Sequence, residues 1–216
     1  MKVLLVFAHP EPASFCGALR DVATGTLTGL GHEVVVSDLY RQGFDPAGGA
    51  RDFLHGSSTP FVYQEEQRHA AREGSFAPDI AAEASRLLAC DLLMLNFPFW
   101  WYGPPAILKG WIDRVLAAGF AYDRGRTYET GALAGRAGLL TVTTGSPPER
   151  YSTGGAAPFA TMEQLLLPLQ EGLFRYVGMK AVEPFVAYSA ARVDDARRQR
   201  YLAEYRAHLE RHVGKA

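Results

Sequence analysis

Three short stretches gather residue types that could bind and work on a ligand. In one, Phe99, Trp100, Trp101 and Tyr102 stand side by side. Four consecutive aromatics cannot all enter one core, so some must line a surface, and a flat aromatic ligand is the natural guest of such a wall. In another, His9-Pro10-Glu11-Pro12-Ala13 runs into Ser14, a residue type that caps helices, with Phe15 and Cys16 just behind it. The free amides and dipole of a helix start make a ready phosphate site. In the third, Thr143-Thr144-Gly145-Ser146 leads through Pro147-Pro148 to Tyr151 and Gly155, a loop of hydroxyls and exposed amides. Neither Gly-x-Gly-x-x-Gly nor Gly-Lys-Ser/Thr follows the first apolar run, which excludes a Rossmann dinucleotide turn and a nucleotide triphosphatase loop. His208 and His212 lie one helical turn apart, but no further ligand stands at metal-site spacing, so a solvated helix face is expected and no metal.

The elements that must position these stretches are legible from periodicity. Leu92 to Phe97 is apolar except for Asn96, too short for a helix and without polar alternation, and reads as the central strand of a parallel sheet. Lys2 to Ala8 and Glu33 to Ser37 are the first two strands, around a helix from Ser14 to Leu30 with apolar spacing at Phe15, Leu19, Val22 and Leu27. Asp38 to Pro60 is an irregular loop of a length that is usually functional or packs on a neighbour. Helices are expected over 61–73, over 78–90 and from Pro104, as a first helical residue, to Ala118. Ala137 to Thr144 is a fourth strand, Phe159 to Tyr176 an apolar helix, Lys180 to Ala187 a fifth strand and Asp194 to His212 a charged helix. Five strands alternating with helices predict an α/β, doubly wound, five-stranded parallel sheet in a three-layer sandwich of flavodoxin-like layout. Ligands bind at strand carboxyl ends in such sheets, where the three stretches converge. A phosphate-binding helix start, an aromatic wall and a hydroxyl-rich loop together suit a flavin nucleotide.

Composition narrows the class. The 216 residues, 48% hydrophobic, can bury one sizeable core, so a single domain over 1–216 is expected. Twenty-two basic against 23 acidic residues give a net charge of −1, which offers no footprint for nucleic acid or an anionic membrane. Two unpaired-looking cysteines, Cys16 and Cys90, no signal-peptide pattern and no stretch long enough to span a bilayer point to a cytoplasmic protein without membrane insertion.

On these residues the chain resembles the NAD(P)H:quinone reductase family of flavoproteins, the diaphorase-like branch of the flavodoxin-like fold. The resemblance runs through Ala8-His9, Ser14-Phe15, Ser37-Asp38-Leu39-Tyr40, Pro78-Asp79-Ile80, the block from Phe97 to Trp111, Gly119-Phe120-Ala121-Tyr122, Thr143-Thr144-Gly145, Tyr151-Ser152 and Asp195-Ala196-Arg197. Its most specific part is Pro-Ala-Ile-Leu-Lys-Gly-Trp, ending at Trp111. The resemblance implies FAD, with FMN possible, and NAD(P)H as co-substrate. It assigns His9, Ser14, Phe15 and Cys16 to the flavin diphosphate or ribityl chain. Phe99, Trp100, Trp101 and Tyr102 would edge the isoalloxazine, with backbone amides reaching N5 and O4. Thr143, Thr144, Gly145 and Ser146 would hold the pyrimidine end, and Arg197 would reach the adenosine. Tyr151 would be the catalytic residue near O2, and Trp101, Tyr122 and Arg124 would line the substrate slot. The implied reaction is ping-pong, with hydride passing from NAD(P)H to the flavin and two electrons then passing to a quinone in the same slot.

Three departures stand out. Ala157 replaces the histidine partner that mammalian members give the tyrosine, leaving water or Tyr151 alone for the proton. Val62 replaces a glutamine near the adenine, and Arg124 a tyrosine of the substrate slot. The C-terminal segment of the long members is expected to be missing. Alternatives are an FMN-dependent azo- or nitroreductase and a flavin-binding regulatory subunit of a potassium efflux transporter. A homodimer is expected, because the aromatics exceed what one core hides and the Asp38 to Pro60 loop needs something to pack on.

Overall fold

The computed structural model describes residues 1–154 and 160–214; Gly155, Ala157 and Phe159 lie outside the described residues. Six strands, β1 (Lys2–Phe7), β2 (Glu33–Asp38), β3 (Leu92–Pro98), β4 (Ala137–Thr143), β5 (Lys180–Ala181) and β6 (Phe185–Ala187), pair in parallel. The order is β2-β1-β3-β4-β5, with β6 continuing the β5 position beside β4. β3 is therefore central, and all seven of its residues are buried, as an apolar run with a helix layer on each side requires.

Successive side chains of a strand face opposite ways, which divides the core in two. Val3, Leu5 and Phe7 meet helices α1 (Phe15–Gly29) and α6 (Asp195–His212) through Leu19, Leu27 and Tyr205. Leu4, Val6, Leu93 and Leu95 meet the opposite layer of α3 (Pro78–Ala89), α4 (Ala106–Val115) and α5 (Met162–Leu169), through Leu87, Trp111 and Leu166. Helix α2 (Tyr63–Glu73) packs outside with Phe53 and Phe76. The result is the three-layer flavodoxin-like arrangement read from the sequence.

Three boundaries differ from the expectations. Helix α4 starts at Ala106 under Pro105 as its cap, so Pro104 is not its first residue, and Leu116 leaves helical geometry at ψ 56°. The apolar helix begins at Met162 under Thr161, holds Pro168 in its interior and passes into a π turn over Gln170–Arg175. A helix-interior proline removes one backbone bond, and π turns accommodate such interruptions. The fifth strand is broken between β5 and β6. Three steps along β4, from Gly138 to Thr141, face four along the edge, from Ala181 to Phe185, and Pro184 lacks the amide that would keep the ladder regular.

The long loop is pinned to its own chain. Arg114, nearly fully buried on α4, donates to Asp52 Oδ1 at 3.0 Å, to Asp79 Oδ2 at 2.7 Å and to the Asp45 carbonyl at 2.7 Å. The Tyr63 hydroxyl donates to the other Asp52 oxygen at 2.5 Å. A side chain at Gly110 would strike the Pro46 carbonyl oxygen at 2.2 Å, so loop and helix touch backbone to backbone. The loop thus needs no second copy to pack on, and one of the two grounds for a dimer falls away.

Candidate functional site

Ser14 accepts from the Gly17 amide at 3.2 Å and caps α1, and the preceding loop folds tightly over that first turn. A Cβ at Gly17 would lie 2.0 Å from the Pro12 carbonyl oxygen, so only glycine permits this approach. The opening amides of a helix have no intrahelical acceptor, and α1 carries no acidic residue in its first turn. An anion can therefore settle there. His9 Nδ1 lies 3.0 Å from both the amide and the carbonyl oxygen of Glu11, which fixes the ring against its own loop. Its ring centroid lies 5.9 Å from that of Trp100.

The second loop is a strained turn. Trp101 and Tyr102 hold φ of 51° and 59°, consecutive left-handed positions, closed by the Gly103 amide donating to the Trp100 carbonyl at 3.1 Å. L-residues pay roughly 1–2 kcal/mol each in that region. The turn lifts Trp101 to 97% exposure, while Phe99 is buried beneath it. The Phe99 amide donates to the Thr143 carbonyl at 2.8 Å and the Trp100 amide to the Pro98 carbonyl at 3.0 Å, so those two amides are engaged within the chain.

The third loop is tied to a fourth that the sequence reading missed, the one after β6. The Thr144 amide donates to the Ala187 carbonyl at 3.0 Å, the Ser189 amide to the Ser146 carbonyl at 3.1 Å, and the Thr144 hydroxyl to the Ser146 carbonyl at 2.7 Å. The signal was available, because the fifth strand must also end at the ligand side of such a sheet.

These loops enclose a cleft of about 610 Å3. Its walls include His9, Ser14, Phe15, Cys16, Trp100, Thr143, Thr144 and Gly145, joined by Pro98, Ala190, Ala191 and Arg198. Eight of the residues expected at the site thus meet in one place. Cys16 lines it, yet its buried thiol donates to Asn96 Oδ1 at 2.9 Å. Burial pushes that thiol up to about 12, so it stays protonated and is no nucleophile.

Other expected residues stand outside this cleft. Tyr151 lies beyond Phe99, with ring centroids 6.4 Å apart, and 5.6 Å from Tyr188. Its hydroxyl makes no hydrogen bond among the described residues. Arg197 places its guanidinium carbon 3.9 Å over the Tyr201 ring and pairs with Glu204 at 2.8 Å, and its neighbour Arg198 lines the cleft instead. Tyr122 accepts from Gln64 Nε2 at 3.3 Å and packs on Tyr176, while Arg124 is exposed; neither reaches the cleft of its own chain. Burial raises the Tyr122 phenol above its ordinary value. His208 and His212 stack at 4.4 Å, and burial foremost lowers His208. No group of three metal-ligating side chains occurs among the described residues.

The flavodoxin-like fold family matches residues 1–209. Ribosyldihydronicotinamide dehydrogenase [quinone] of Pongo abelii is 38% identical over 97% of this chain and 90% of its own. NAD(P)H dehydrogenase [quinone] 1 of Rattus norvegicus is also 38% identical, over 97% and 76%. A crystal structure from Klebsiella pneumoniae, described as a candidate quinone reductase, superposes with a TM-score of 0.91 at 36% identity, covering 97% of this chain and 84% of that one.

Proposed function

Because the chain belongs to the flavodoxin-like family of quinone dehydrogenases, we propose that it is a flavin-dependent NAD(P)H:quinone oxidoreductase. The observation that carries this reading is the meeting of the His9 to Cys16, Phe99 to Tyr102 and Thr143 to Ser146 loops around one cleft. Its lining fits a flavin nucleotide: the amides of the first turn of α1, which itself holds no acidic residue although Glu11 accepts from the Ala13 amide just ahead of it, an imidazole, an indole face, and threonine hydroxyls beside a glycine. Bound flavin supplies the redox chemistry, alternately taking two electrons from NAD(P)H and giving them to a quinone. The protein's part is placement. Ser14 fixes α1 so that its first amides serve the phosphates, with His9 as a further donor. Trp100 and Trp101 offer faces for stacking planar donors and acceptors. Tyr151, whose hydroxyl no described residue engages, would stabilise negative charge on a reduced flavin. Arg198 is better sited than Arg197 for the adenosine side.

FAD is the flavin this reading favours, and the protein acts as one unit over 1–216 in the cytoplasm. Two buried free thiols, Cys16 and Cys90, support a reducing compartment. No helix of the described residues is long and apolar enough to cross a membrane. The exposed apolar side chains Trp100, Trp101, Tyr102, Leu54, Phe61 and Val62 support a homodimer that would cover some of them. The second copy would bring Tyr122 and Arg124 to the slot.

The test is the visible spectrum and the mass of the flavin released on heating, followed by anaerobic reduction with NADH and NADPH and reoxidation by quinones. FAD, full bleaching and rapid quinone-driven recovery are expected. Colourless protein that takes up neither FAD nor FMN would overturn the reading, and released FMN with faster azo-dye than quinone turnover would redirect it.

A further inference from the structure

A second cleft, of about 1130 Å3, opens on the other side of the His9-Pro10 loop, between α1 and the turn that follows β2. His9 lines both clefts, so the two adjoin. The strand order puts this groove at the carboxyl end of β2, two places from β3 and its aromatic turn, about 10 Å across the sheet.

The chemistry of the groove is specific. Val36 and the Tyr40 ring are exposed there, an apolar and aromatic floor on the edge strand. Three guanidinium groups face it. Arg20 is held over the Phe7 ring at 4.6 Å and paired with Asp21 at 2.7 Å. Arg86 is anchored by the buried Glu83 and by Gln42 Oε1 at 3.3 Å. Arg41 is exposed and its guanidinium makes no ion pair or hydrogen bond among the described residues. The two carboxylates of the groove are engaged, Asp21 by Arg20 and Asp38 by the Arg41 amide at 3.1 Å. An aromatic face beside one uncommitted and two pre-positioned arginines matches a purine carrying phosphate, because guanidinium groups grip phosphate bidentately and stack on flat rings.

We propose that this groove holds the 2′-phosphoadenosine end of NADPH while the nicotinamide lies at the aromatic turn. The proposal rests on the oxidoreductase reading above and deepens it by choosing the phosphorylated dinucleotide as donor. The His9-Pro10 loop, shared by the two clefts, lies between the two ends of the dinucleotide. Tyr40 stacks on the adenine, and Arg41 meets the 2′-phosphate.

The test uses the holoprotein and two independent readouts. In calorimetry without phosphate buffer, adenosine 2′,5′-bisphosphate is expected to bind the wild type, and Arg41→Glu and Tyr40→Ala to bind it at least about tenfold more weakly. In steady-state assays, Arg41→Glu raises KM for NADPH about tenfold more than KM for ribosyldihydronicotinamide, a donor without the adenosine end. Lys180→Glu, the same charge change at the far edge strand, leaves both unchanged. Equal effects of Arg41→Glu on the two donors would overturn the proposal. So would bisphosphate that binds without competing with NADPH, since the groove would then serve a free nucleotide. If no dihydronicotinamide is oxidised at all, the oxidoreductase reading fails and takes the donor-tail assignment with it, while calorimetry still reports whether the groove binds the bisphosphate.

Discussion

Asn96 grips Cys16 at two points: its Nδ2 donates to the Cys16 carbonyl at 3.2 Å and its Oδ1 accepts from the Cys16 thiol at 2.9 Å. Asn96 is fully buried on β3, and Cys16 is in the first turn of α1, so this pair locks the helix start above the end of the central strand. Asn96→Leu keeps the volume and removes both bonds, leaving the buried Cys16 thiol without its acceptor, at about 1 kcal/mol of stability. It should also loosen flavin retention, read as a raised dissociation constant in fluorescence titration. Unchanged affinity would mean the pair serves only the core. The thiol itself should resist alkylation in the native state near pH 8.5, where an exposed cysteine is about half ionised.

The strained aromatic turn invites a second test. Both Trp101→Gly and Trp101→Ala delete an exposed indole, so their difference isolates the backbone. At φ 51° alanine keeps the strain and glycine relieves it. Glycine should therefore be the more stable of the two by about 1 kcal/mol, the reverse of the usual order. Urea unfolding of the two variants decides it. Both should raise KM for quinones, and an unaltered KM would remove Trp101 from the slot.

How far the sequence could be read depended on whether a signal was local. The apolar run of β3, broken only by Asn96, and the cap Ser14 are properties of a few adjacent residues, and both stand where they were expected. The break in the edge strand was also locally written, in Pro184, but the β-branched residues around it outweighed it. The anchoring of the long loop could not be read, because Arg114 and Asp52 are 62 positions apart and only the folded chain pairs them. The exchange of Arg197 for Arg198 at the cleft has the same origin. Adjacent helix positions differ by about 100° in direction, and the packing of α6 on α1 chooses between them.

Acid stability offers a third prediction. Glu66 is buried; its Oε1 accepts from the amide of Ser58 at 2.8 Å and from the Ser58 hydroxyl, and its Oε2 lies 2.8 Å from His55 Nε2. The Ser58 hydroxyl first, then His55, hold this carboxyl down to about 2, from an ordinary 4.5. A depressed acid stabilises the fold above its unfolded value and loses that contribution as pH falls through the folded value. Between about 4.5 and about 2, the wild-type Tm should therefore fall more steeply than that of Glu66→Gln. Parallel curves would show that the loop around Ser58 does not depend on this carboxylate.

Tyr151 provides the sharpest test of the proposed chemistry. Its ring is wedged between Phe99 and Tyr188, at 6.4 and 5.6 Å between centroids, so Tyr151→Phe should preserve packing and flavin content. What it removes is a hydroxyl that no described residue engages. If that hydroxyl steadies the charge developing on reduction, its loss should slow single-turnover reduction by NADPH about 100-fold, a typical cost for one such donor. Affinity for the donor should change little, since the interaction strengthens only as charge develops. Stopped-flow bleaching of the flavin measures both quantities at once. Wild-type rates in the variant would assign the proton and the charge to water and leave Tyr151 as a packing residue between two loops.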